Sequence, residues 1–93
     1  MSDQIAYRAV VHGRVQGVGF RYSAVSKALR LGLTGWVRNT RDGTVETHFE
    51  GDPGKTDEFL KWLRRGPSSA RVIRVDKQHV PPYHTYRTFS IEY

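Results

Sequence analysis

The chain has no cysteine. A disulfide, a thiolate zinc site and a cysteine nucleophile are therefore excluded. Its histidines, His12, His48, His79 and His84, have no metal-ligand spacing. No metal site and no cofactor is expected, and each imidazole reads as solvated surface. Long apolar runs are missing as well, and none approaches the roughly 20 residues of a membrane span. Met1 to Tyr7 lacks a basic patch followed by an apolar run, so no signal peptide is read and the expected location is the cytoplasm. Acids are in short supply: 9 Asp and Glu stand against 15 Lys and Arg, a formal charge of +6. That excess favours small anionic ligands through steering, and it also admits nucleic acid. No repeat, linker or low-complexity segment divides the sequence, so residues 1–93 read as one domain, taken as a monomer.

What is present is regular patterning. Ile5, Tyr7, Ala9 and Val11 alternate with Arg8 and His12, which predicts a strand with one buried face. From Phe20, apolar residues recur at Ala24, Val25, Ala28, Leu29 and Leu31 at helical spacing, and Gly32-Leu33 suits the helix end. Thr34 to Asn39 predicts a second strand and Val45 to Phe49 a third, joined by an Asp42-Gly43 turn. Asp52-Pro53 caps and starts a second helix, which Gly66-Pro67 stops. Val72 to Val80 follows as a strand, with Val72, Arg74 and Asp76 on one face and Ile73 and Val75 on the other. Pro81-Pro82-Tyr83-His84 makes a loop, and Phe89, Ile91 and Tyr93 alternate in a short final strand. This βαββαβ order plus a short strand predicts an α+β, ferredoxin-like sandwich: an antiparallel sheet with both helices on one face.

Between the first strand and first helix lies Gly13-Arg14-Val15-Gln16-Gly17-Val18-Gly19-Phe20-Arg21. Glycines here leave amides uncovered, and a bend that opens a helix aims several N–H groups at one spot. Arg21 adds a guanidinium fork that fits a phosphate. The residues by themselves leave two readings, a phosphate cradle or a glycine-rich turn beside a solvated arginine. Two larger cradles are excluded. No Lys-Ser or Lys-Thr closes the loop, and the position three after Gly19 is Tyr22, so neither the nucleotide-binding loop nor the dinucleotide fingerprint is present. Asn39, at the end of the second strand, reads either as a residue that places a water or as a turn residue bonding its own backbone.

The loop resembles the first signature of the acylphosphatases, and Gly35-Trp36-Val37-Arg38-Asn39-Thr40-Arg41-Asp42-Gly43-Thr44-Val45 resembles their second. Length and element order match too. The resemblance implies a hydrolase that splits the carboxyl–phosphate bond of an acyl phosphate without a metal. It implies a phosphate loop at Val15, Gln16, Gly17, Val18, Gly19 and Phe20, a catalytic Arg21 that also binds phosphate, and a water-orienting Asn39. Inorganic phosphate or sulfate is implied as a product-like ligand.

The alternative is a ferredoxin-like module that binds a small anion or nucleic acid without catalysis. RNA-recognition domains stack bases on aromatics of the third strand. Here Thr44 to Glu50 carries two acids and one ring, Phe49, which argues against nucleic acid as a partner.

Overall fold

The computed structural model describes residues 3–93. Met1 and Ser2, which begin the stretch read for a signal peptide, lie outside the described residues. The element order is β1 (Ile5–Arg14), α1 (Phe20–Arg30), β2 (Thr34–Asn39), β3 (Val45–Gly51), α2 (Pro53–Arg65), β4 (Arg71–Val80) and β5 (Phe89–Ile91).

The five strands form one sheet in the order β4-β1-β3-β2-β5. The expected all-antiparallel sheet needs one correction: β5 pairs with β2 in parallel, so the sheet is mixed. The reason is directional. β4 runs opposite to β1, the chain then crosses to the other edge, and it returns in the direction of β2.

The local signals act as their chemistry requires. Asp52 caps α2 by accepting from the Gly54 amide at 3.1 Å, and Pro53 follows at the first helical position. At the end of α1 the Leu33 amide reaches back to Ala28 O at 2.9 Å. Both helices bury their apolar faces against the same side of the sheet. Phe20, Ala24 and Ala28 of α1 join Phe59, Leu60 and Leu63 of α2 over Ala9, Val11, Val37, Val45 and Phe49. Phe59 is the hub, meeting Phe49 edge-on at 4.8 Å and Phe89 at 5.7 Å between ring centroids.

Two expectations about faces change. Val72 and Val75 both pack against the core, not on opposite sides. A bulge explains this: His12 pairs with Arg74 while Gly13 pairs with Val72, so Ile73 is pushed out and the alternation shifts phase. Gly13 makes the bulge possible, because a Cβ there would lie 2.1 Å from Arg71 O. His48, read as solvated surface, is fully buried together with Glu50. The chain between β4 and β5 passes over that side of the sheet, and Tyr83 stacks on His48 at 4.9 Å between ring centroids.

Candidate active site

β1 and β2 run in the same direction on either side of β3, so their carboxyl ends reach the same end of the sheet. Val11 and Asn39 both pair with Val45, which puts the two strands about 10 Å apart there. The loop after β1 folds over this end and opens into α1. Gly17 and Gly19 adopt φ of 73° and 77°, values that a side chain would strain, and Gly19 is the residue that caps α1. From Val15 to Gly19 no amide donates to another backbone group of the described residues. These amides are not spent on the backbone, and they stand beside the positive end of a helix.

The structure brings the sequence-predicted residues together. Val15, Gly17, Gly19, Phe20, Arg21 and Asn39 line one hollow of about 180 Å³, with Tyr22 as a further wall. Gln16 and Val18 belong to the same loop but act partly as anchors. The Gln16 side chain donates to Thr40 O and Thr44 O, both at 2.8 Å, fastening the loop to the β2–β3 turn. The Val18 carbonyl accepts from the Ser69 hydroxyl at 2.8 Å, fastening it to the segment after α2. Pattern reading missed Ser69, because a serine 51 residues away carries no local signal of that bond.

Arg21 is half-buried. The ion pairs of the other basic side chains, Arg8, Lys27, Arg38, Lys61 and Arg74, do not include it. Its guanidinium lies 5.5 Å from the centre of the Tyr93 ring, which supports the plane without neutralising the charge. Asn39 presents a buried Oδ1 with no hydrogen-bond partner among the described residues. An acceptor placed this way at the wall of a hollow suits a water or a ligand donor.

The turn that carries Asn39 is rigid. Thr40 N donates to Thr44 O at 3.0 Å, and the Thr40 and Thr44 hydroxyls both bond the Asp42 carboxylate. Those bonds, the one from the Thr40 hydroxyl foremost, hold the Asp42 carboxyl down at about 2. Asp42 thus serves the turn, as expected from the sequence. Among the described residues no group of three His, Asp or Glu is placed to hold a metal ion.

Loop backbone, a guanidinium and an unpartnered amide oxygen thus stand around one small hollow, chemistry that suits an anionic ligand. The acylphosphatase family model matches residues 7–91. The chain belongs to the acylphosphatase family. It is 43% identical over 93 residues to an acylphosphatase of Anaeromyxobacter dehalogenans, covering 100% of each chain. It is 49% identical over 76 residues to one of Acaryochloris marina, 82% of each. The crystal structure of acylphosphatase from Bacillus subtilis superposes with a TM-score of 0.92 at 36% identity, covering 96% of this chain and 99% of that one. Membership in the acylphosphatases makes this chain an enzyme that hydrolyses acyl phosphates, a small-molecule substrate, on a ferredoxin-like fold. The binding-module alternative is not favoured. No helix among the described residues is long and apolar enough to cross a membrane.

Proposed function

We propose that the substrate's phosphoryl group sits in the hollow on the amides from Val15 to Phe20, gripped by Arg21, while Asn39 holds the attacking water. The observation that carries this reading is the shared wall: loop, Arg21 and the unpartnered Asn39 Oδ1 line one hollow. Asn39 Oδ1 accepts a hydrogen bond from the water and leaves a water lone pair aimed at phosphorus. The water oxygen bonds to phosphorus and the bridging P–O bond breaks. The amides and the Arg21 fork stabilise the equatorial oxygens as charge redistributes.

The leaving group is a carboxylate whose conjugate acid has a pKa of about 4–5, so it departs as an anion without a general acid. Among the described residues, no carboxylate or imidazole lines the hollow. The proton of the water therefore passes to an oxygen of the substrate's own phosphoryl group. Arg21 and the amides supply the positive field that a metal provides elsewhere, so the reaction is metal-independent. Inorganic phosphate and sulfate bind as product-like ligands in the same cradle. A monomeric state and a cytoplasmic location complete the reading.

Phosphate release from acetyl phosphate in excess chelator tests the chemistry. Full activity is expected, and loss restored by added magnesium or zinc would refute the metal-independent scheme. Size-exclusion chromatography and cell fractionation test the remaining two points.

A further inference from the structure

The hollow has two flanks. On the β2 flank, Asn39 also borders a depression of about 260 Å³ shared with Arg38, Arg41 and Tyr93. On the α1 flank, Tyr22 also borders a groove of about 360 Å³ shared with Ser26, Trp62 and Pro67. A substrate whose phosphate is seated must send its acyl group over one of them. Both exceed the roughly 150 Å³ of an apolar cavity that accepts benzene, so volume does not choose.

Reaction geometry does. Entering and leaving oxygens at phosphorus stand roughly in line. With the water held at Asn39, the leaving carboxylate oxygen lies on the far side of phosphorus, away from β2. We infer that the acyl group runs over Tyr22 into the groove beside α1, where Tyr22 and Trp62 select acyl phosphates with a flat apolar body. This rests on the water-holding role of Asn39 proposed above.

The groove is built for the task. Tyr22, Ser26 and Arg30 are spaced by four along α1 and share one face, so the groove follows the helix. Trp62 forms its opposite side, and its ring is 5.4 Å from that of Phe20, which closes the phosphate loop. The Ser69 bond to Val18 ties the segment that carries Pro67 to the same loop. Groove and cradle are thus held in fixed relation. Tyr22 is 68% exposed, an aromatic surface available to stack on a ligand. Arg30 lies two turns on, about 12 Å from Tyr22, beyond a short acyl group, so an apolar body is read there and not a distal anion. The β2 flank has an exposed ring of its own in Tyr93, while its Arg38 is held by Glu46 at 3.0 and 2.7 Å, so the in-line geometry is what chooses between the flanks.

The test compares kcat/KM for benzoyl phosphate and acetyl phosphate, whose methyl group offers no flat body to stack. In Tyr22→Ala the benzoyl-to-acetyl ratio should fall about 2- to 10-fold, the worth of one aromatic contact. Tyr22→Phe should restore it, and Arg41→Ala should leave it alone. A ratio that holds in Tyr22→Ala, or that falls in Arg41→Ala instead, overturns the inference. If Asn39→Ala keeps its kcat, the in-line premise fails, and that outcome is read independently of the ratio.

Discussion

Two parts of this molecule bury polar groups, and they treat them in opposite ways. On the face of the sheet away from the helices, Glu50 is fully buried and fully engaged. His48 Nε2 lies 2.6 Å from its Oε2, and the amides of Tyr83 and His84 donate to it at 2.8 and 3.1 Å. Burial, the largest single influence, works against its charge. The His48 bond and the two amides together outweigh it and hold the Glu50 carboxyl below its ordinary value of 4.5. At the carboxyl end of β1 and β2, by contrast, five loop amides and Asn39 Oδ1 find no such partners among the described residues. A missing partner does not by itself mark a site, since Arg8 Nε and His48 Nδ1 on the far face also lack one. What sets this end apart is that Val15, Gly17, Gly19 and Asn39 share the lining of one hollow with Arg21. One end leaves polar groups open at a hollow, while the other spends them to pin a loop across the sheet.

That contrast predicts which substitutions harm chemistry and which harm the fold. Arg21→Ala should cost the most, about 10³-fold in kcat/KM, together with lost affinity for inorganic phosphate and an unchanged circular-dichroism spectrum. Arg21→Lys should recover little, because a point charge does not reproduce the planar fork. Near-normal phosphate inhibition of Arg21→Ala would break the assignment.

Glu50→Ala should act the other way. It leaves the buried donors around it unpaired and should destabilise the fold by about 3 kcal/mol, measured by urea unfolding, with kcat near normal while the protein remains folded. The pH dependence follows in sign. A carboxyl depressed by folding stabilises the native state above its unfolded value and loses that contribution as pH falls through its folded value. Wild-type stability should therefore drop as pH falls below 4.5, and Glu50→Gln should flatten that drop. An identical acid profile in Glu50→Gln would remove Glu50 from the account.

Asn39→Ala should lower kcat by about 10²-fold while KM and phosphate inhibition stay near wild type, since its contact is with the water and not the phosphate. Loss of phosphate affinity with kcat preserved would make Asn39 a binding residue instead. The smallest effect sharpens the contrast without mutation. Inorganic phosphate at about 100 times its dissociation constant should stabilise the chain by roughly 2.7 kcal/mol. A melting temperature indifferent to phosphate would mean that the cradle is not formed before the substrate arrives.

Local chemistry was enough for much of this protein. Asp52-Pro53 starts a helix in any context where the chain turns into one, because the cap and the fixed φ need only their own neighbours. Asp42 shapes its turn through bonds to residues two positions away. Alternation and helical spacing gave the element order, and hence the sandwich. The loop glycines with Arg21, and Asn39 within a second long motif, were legible because their resemblance to one family is specific. Other features needed partners far off in sequence. The parallel pairing of β5 depends on where the crossing chain comes down, and the shared phase of Val72 and Val75 depends on a bulge opposite Gly13. His48 and Glu50 alternate like any solvent-facing pair until Tyr83 and His84, more than 30 residues on, close over them. The hollow itself is tertiary: it exists because two strands of the same direction end at one edge on either side of β3, and because Gln16 and Ser69 fasten the loop across the gap. Sequence alone determined which groups this chain can offer and in what local shapes. Only the tertiary structure decided which of them keep a partner and which stay open at the hollow, because burial and long-range hydrogen bonding are properties of the assembled sheet and not of any single segment.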